Sequence, residues 1–289
     1  MKVMTQSLTL ATYPARKPLN PLLSDDMSDS AVESPGLRIE RHGEVEVLTL
    51  ARPEARNALT FELYDALESA VRDTTARCLV ITGDDPAFCS GDDVKQVMVG
   101  AGDATSDSLS RTPRLTPAAD ALLHTDVPVI AAVNGAAVGW GMELALMADI
   151  RIASERAKFG ELFVLRGLVS DVAGLGRLAQ LVGRENAAML LFTGAVIDAE
   201  RAERIGMVSS VVDHDELLLV SMALAQEIAA RPPLAVRALK NGLRQALDPD
   251  WNELGSWVSS TLGDLFRTED HKEGVQAFLE KRAPEFRGR

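Results

Sequence analysis

Past the first 34 residues, apolar and polar positions alternate between two patterns. Short runs of aliphatic and β-branched residues predict strands at Val45–Leu50 (VEVLTL), Cys78–Thr82 (CLVIT), Val129–Val133 (VIAAV), Ile150–Ala153 and Val208–Val212. Segments with helical spacing lie between them. Phe61–Asp73 is one, with Thr60 placed to cap it. Ala118–His124, Trp140–Met147 and stretches near 174–182, 184–192 and 199–205 are the others. After Asp215 no strand pattern remains, and helices are predicted near 215–230, 233–246, 251–265 and 269–282. Strands and helices in alternation, then helices alone, predict an α/β core over 35–232 and a helical C-terminal region over 233–289.

The first 34 residues hold three prolines and many Ser and Asp, and they read as a disordered tail, with Met27 a second candidate start. The apolar stretch there is broken by Thr12, Tyr13, Pro14 and Arg16, too short for a signal sequence. Residues 100–117 are rich in Gly, Ser, Thr and Pro and predict a mobile loop.

Composition narrows the function. A chain of 289 residues with 46% hydrophobic content supports one large core. The 30 basic and 42 acidic side chains leave a net charge of −12, which argues against nucleic acid or an anionic membrane as partner. A local basic patch would still serve a phosphorylated small molecule. No apolar run is long enough to span a bilayer. Cys78 and Cys89 make no disulfide framework, and His42, His124, His214 and His271 are scattered, so neither a metal site nor an oxidising compartment is expected. The cytoplasm is the expected location.

Common site motifs give little. Gly174–Ala179 (GLGRLA) fits a loose dinucleotide pattern, but no strand precedes it, so close helix packing is the better reading. There is no GxxxxGK[ST], HExxH or GxSxG. Two glycine-bearing turns stand out instead, each after an apolar strand. They are Phe88–Lys95 (FCSGDDVK) and Val133–Leu144 (VNGAAVGWGMEL). Such turns leave backbone N–H groups unpaired. Two N–H groups aimed at one point stabilise negative charge on a carbonyl oxygen. Glu143 lies one helical turn beyond Trp140.

These turns follow Arg52-Pro53 and Asn57-Ala58-Leu59. They precede Asp270–Gly274 (DHKEG) and Phe278–Arg282 (FLEKR). Together the motifs resemble the crotonase (enoyl-CoA hydratase/isomerase) superfamily from about residue 37 to 287. The resemblance implies a crotonase-like spiral of ββα turns with a C-terminal helical trimerisation region. It also implies acyl-CoA thioesters as substrates and a homotrimer, or a hexamer built as a dimer of trimers. Coenzyme A enters as part of the substrate, and no separate cofactor or metal is implied.

Carried over position by position, the resemblance assigns the oxyanion N–H groups to Asp92 and Trp140, the latter where relatives usually have glycine. It gives the acid/base role to Glu143. Arg56, Ala58, Ser90, Gly91, Lys95 and Gly139 would line the CoA and acyl groove. Phe278 and Lys281 would reach the adenine or 3′-phosphate end, with a neighbouring subunit as one setting. The second glutamate of family hydratases falls at Phe163, an apolar residue, so the two-glutamate site is incomplete; Glu161 is expected to point elsewhere. Asp171 stands where dienoyl-CoA isomerases and a dehalogenase of the superfamily carry an active-site aspartate, and it also sits where it would cap the next helix. The expected activity is of enoyl-CoA hydratase or isomerase type. An acyl-CoA-binding pseudoenzyme, or a hydrolase, dehalogenase or dienoyl-CoA isomerase using Asp171, are the alternatives.

Overall fold

A computed structural model describes residues 30–94, 96 and 114–289. Lys95 and most of the predicted 100–117 loop lie outside these residues. Eleven described strands form two sheets. The larger has seven strands in the order β1-β2-β3-β4-β6-β8-β11: Ser30–Ser34, Leu37–His42, Val45–Leu50, Cys78–Gly83, Val129–Val133, Ile150–Ser154 and Ser210–Val212. The smaller has four in the order β10-β9-β7-β5: Val196–Asp198, Lys158–Gly160, Ala136–Val138 and Ala87–Cys89.

The chain visits the two sheets in turn. From β4 it enters β5, from β6 it enters β7, and from β8 it enters β9, with helices after each pair. The helices that follow are α2 (Pro117–His124), α3 (Trp140–Met147), and α4 (Val172–Gly176) with α5 (Leu178–Thr193). This is a spiral of ββα turns. The strands β3, β4, β6, β8 and β11 pair in parallel, as crossover connections require.

The central strands are apolar without interruption because both faces are covered. Leu48, Leu79, Ile81, Val129 and Ala131 face the main core with α1 (Phe61–Asp73), whose Leu63, Leu67 and Val71 are buried. Val45, Val47, Val80, Ile130 and Ala132 face the other way, under Leu217, Met222 and Ala225 of α7 (Leu217–Ala229). Thr60 caps α1, its hydroxyl accepting from Leu63 N–H. The predicted break between helices at 182 and 184 is real: Gly183 has φ +75° inside α5.

Several expectations needed correction. Ser30–Ser34 is not tail but an edge strand, turned onto β2 by Pro35 and Gly36, the latter at φ +76°. Its Val32 is 57% exposed, so no burial pattern announced it. The short strands β5, β7, β9 and β10 have three residues each, too few to show periodicity, and β2 is rich in charge. The last strand begins at Ser210, and the last helix ends at Glu280.

Helix α6 (Ala199–Arg204) precedes β11. Helices α8 (Pro233–Leu247), α9 (Trp251–Leu265) and α10 (Glu269–Glu280) complete the chain. Lys240 of α8 is buried and donates from Nζ to the Val127 carbonyl at 2.8 Å and to Asp149 Oδ2 at 2.7 Å. Removing the ammonium leaves a half-buried carboxylate with one remaining donor, Val129 N–H. Lys240→Ala is expected to lower stability by about 2 kcal/mol, read as a lower urea midpoint with unchanged fluorescence of the folded state.

Candidate active site

Strands β5, β7 and β9 are parallel neighbours, so their carboxyl ends open on one side. The segments just past those ends are Ser90–Asp92, Gly139–Trp140 and Glu161–Phe163. This places residues distant in sequence at one edge, where open parallel sheets commonly bind ligands.

Two glycines set how closely the first two segments approach. Gly91 has φ +88°, and a Cβ there would fall 2.9 Å from the Val138 carbonyl oxygen and 3.3 Å from Trp140 N. A Cβ at Gly141 would overlap the Cys89 carbonyl oxygen. Trp140 heads α3, so its N–H has no intrahelical acceptor. The Gly91–Asp92 turn and the α3 N-terminus therefore meet backbone to backbone.

A cleft of about 620 Å³ lies against this junction. Of the residues assigned from the sequence, its wall includes Arg56, Ala58, Ser90, Gly91, Asp92, Gly139, Trp140, Phe163 and Phe278. The Arg52–Leu59 segment is held there by buried Asn57, which accepts from Arg52 N–H and donates to the carbonyls of Asp84 and Ala87. Helix α10 closes another side. His271 Nδ1 lies 2.8 Å from the Arg166 carbonyl, and a Cβ at Gly274 would meet Arg166 Cα at 2.8 Å. That docking sets Phe278 under the Arg166 guanidinium, 4.6 Å from its ring centre. Lys281 caps the same helix at φ +55° and is not on the wall. Lys95 lies outside the described residues.

Four carboxyl groups gather around the cleft. Asp92 lines it, and Tyr64 Oη donates to its Oδ1 at 2.5 Å. Burial and the charge of Asp171 raise the Asp92 carboxyl to about 6, although the Tyr64 hydrogen bond works in the opposite direction. Burial also lifts the Tyr64 phenol well above its usual range. The Trp140 indole, 3% exposed, stands edge-on to Tyr64 with ring centres 4.7 Å apart. Its Nε1 donates to Asp171 Oδ2 at 2.9 Å.

Asp171 has the capping place foreseen for it as well: its Oδ1 accepts from Val172 N–H at 2.8 Å at the start of α4. Burial raises its carboxyl too. Glu143 is fully buried, and it accepts from Ser170 Oγ at 2.7 Å and from Gly174 N–H at 2.9 Å. Burial, then the Asp171 charge, pushes it up to about 8. Neither Glu143 nor Asp171 is on the cleft wall, of which Trp140 and Phe163 form part.

Glu161 does not point elsewhere. It is 1% exposed and turned inward, with Oε2 at 2.9 Å from Ser170 Oγ. Burial and the charge of Glu143 raise it well above the carboxylate range. Gly174 makes room for this cluster, since a Cβ there would overlap the Ser170 hydroxyl and lie 2.7 Å from Glu143 Oε1. Close packing is thus the use of the GLGRLA glycines; a Cβ at Gly176 would meet the Trp251 ring at 2.5 Å. Tyr64, Glu161, Arg166 and Ser170 were missed from the sequence. Only the spacing of Glu161 to Phe163 hinted at one of them.

Comparison with known proteins identifies the family. The family model for Enoyl-CoA hydratase/isomerase matches residues 40–289. The chain belongs to the enoyl-CoA hydratase/isomerase family. It is 36% identical over 258 residues to the 2,3-dehydroadipyl-CoA hydratase of Escherichia coli, covering 88% of this chain and 99% of that one. The crotonyl-CoA hydratase of Syntrophomonas wolfei is 36% identical over 253 residues, 86% of this chain and 96% of that one. Among solved structures, carnitinyl-CoA hydratase from Mycobacterium avium superposes with a TM-score of 0.73 at 34% identity, covering 88% of this chain and 99% of that one. An enoyl-CoA hydratase/isomerase from Pseudoalteromonas atlantica gives 0.78 at 28% identity, over 87% and 100%.

Two outcomes follow from the packing and charge. Gly174→Ala is expected to cost about 1–3 kcal/mol through overpacking against Ser170, measured by chemical denaturation. Glu143 has a folded-state value near 8, above its ordinary 4.5, so its stabilising contribution is complete below 4.5 and disappears as pH rises through 8. Glu143→Gln should therefore raise Tm relative to wild type by a margin that grows from pH 4.5 to pH 8. A constant margin would show that Glu143 does not titrate in this window.

Proposed function

We propose that the chain processes acyl-CoA thioesters by stabilising an enolate-like thioester oxygen between the N–H groups of Asp92 and Trp140, with Glu143 as principal acid/base. The observation that carries this reading is the meeting of the Gly91–Asp92 turn with the α3 N-terminus at the edge of the cleft. A thioester α-carbon is acidic only when its oxygen is stabilised. One such donor is worth about 3–4 kcal/mol in measured cases.

The remaining residues divide the work. Arg56, Ser90 and Phe278 flank the groove for the coenzyme A portion, which belongs to the substrate. The Trp140 replacement keeps the backbone donor and adds an indole that shapes the acyl end of the cleft. Asp171 holds that indole and brings negative charge close to Glu143. A carboxyl near 8 is suited to both taking and returning a proton close to neutral pH. The relatives named as hydratases of dehydroadipyl-, crotonyl- and carnitinyl-CoA support hydration or double-bond shift as the reaction class.

A homotrimer or hexamer in the cytoplasm completes the reading. Exposed Leu239, Leu243 and Leu247, at four-residue spacing on α8, give it an apolar face for such assembly. No described helix is long and apolar enough to cross a membrane.

Phe163 on the wall, which includes neither Glu143 nor Asp171, favours one second reading, an acyl-CoA-binding pseudoenzyme. Turnover of a panel of enoyl- and dienoyl-CoA thioesters separates the two. Wild type should turn over at least one member, and Glu143→Gln should lose ~10²–10⁴-fold in kcat. Equal rates would remove Glu143 from the mechanism. Calorimetric acyl-CoA binding with no turnover would establish the pseudoenzyme.

A further inference from the structure

Ser170 Oγ lies 2.7 Å from Glu143 Oε1 and 2.9 Å from Glu161 Oε2. All three residues are buried, at 5%, 0% and 1% exposure respectively. A hydroxyl has one proton and can donate to one carboxylate. The second short contact then needs a proton of its own, carried by a carboxylic acid that donates to Oγ. Two ionised glutamates cannot both be satisfied here, so this pair holds at least one proton.

The surroundings decide which residue carries it. Glu143 Oε2 accepts from Gly174 N–H, so Glu143 has donors on both oxygens and is suited to the ionised form. Glu161 has no such support, and its Oε1 is buried with no partner. Among the described residues neither glutamate forms an ion pair. The other charged groups that act on them are the carboxyls of Asp171 and of each other. Asp92 and Arg166 lie further out, on the cleft wall. A lone charge on Glu161 would be desolvated and unpaired, the costliest arrangement available to it.

We infer that Glu161 is a proton-holding, positioning residue for Glu143, joined to it by the chain Glu161 O–H to Ser170 Oγ and Ser170 O–H to Glu143 Oε1. The inference rests on the acyl-CoA reading only for the proton's destination. With Glu143 ionised, the pair carries one proton. When Glu143 takes a proton from a carbon acid the pair carries two and is neutral, the carbanion electrons passing to the thioester oxygen. Returning a proton to carbon restores the first state, so protons and charge balance over the cycle. Movement of both chain protons toward Glu143 exchanges which glutamate is ionised.

Infrared difference spectroscopy on the full chain tests this without substrate. At about pH 9, above the values of Asp92 and Glu143, wild type should retain a protonated-carboxyl C=O band that Glu161→Gln loses. The glutamine amide keeps an N–H donor toward Ser170, so the fold should persist. An unchanged band in Glu161→Gln would overturn the proposal.

Ser170→Ala supplies a second readout. Loss of its donor to Glu143 should move the Glu143 limb of the pH–rate profile upward by about one pH unit. Glu161→Gln, which preserves that donor, should leave the limb in place. Identical limbs in wild type and Ser170→Ala would also overturn the relay. Absence of acyl-CoA turnover would count against the acyl-CoA reading alone, because the band is recorded without substrate.

Discussion

The parallel pairing of β5, β7 and β9 is what the cleft depends on. Each strand is three residues long, so its own ladder contributes little. Their register is set by contacts at the strand ends. Gly91 and Gly141 let the first two meet, and Gly139 N–H donates to the Gly160 carbonyl at 2.9 Å to hold the third. A slip of one residue would exchange inward and outward positions on a strand. The Gly91–Asp92 turn would then no longer meet the head of α3. The large sheet supplies the stability, and the small sheet uses it to hold a functional edge.

That edge tolerates a charge distribution that would destabilise an ordinary core. Asp92, Glu143, Glu161 and Asp171 converge with Arg166 on the wall as the nearest described cation acting on Asp92. Neutral donors carry most of the compensation: the Tyr64 hydroxyl, the Trp140 indole, Ser170, and the N–H groups of Val172 and Gly174. The last two belong to the first turn of α4, whose dipole favours negative charge. Raised carboxyl values are the direct result. A site that must move protons at neutral pH gains from the same burial that costs it stability.

The sequence was informative where burial was complete or a backbone need was local. Central strands such as Cys78–Gly83 announced themselves through uninterrupted apolar residues, and Gly183 marked its own kink. The two glycine turns were legible because close backbone approach requires glycine there. What stayed hidden depended on side-chain direction across elements. Glu161 was read as pointing away by its two-residue offset from Phe163. It turns inward between the end of β9 at Gly160 and the 3₁₀ turn at Phe163–Arg166, where it meets Ser170 Oγ. Tyr64 and Ser170 carry no motif, and only the closure of α1 and α4 around α3 makes them neighbours of the site.

Trp140 connects these levels. Glycine at the head of α3 would provide the same N–H and leave an open space beside Tyr64 and Asp171. The indole fills that space, and its Nε1 donates to Asp171 Oδ2. Asp171 also caps α4, and α4 supplies Gly174 N–H to Glu143. A single side chain on the cleft wall is thereby tied, through Asp171 and one helical turn, to the carboxyl proposed to move the proton. The shape of the cleft wall and the surroundings of Glu143 are therefore linked physically in this protein, through Trp140.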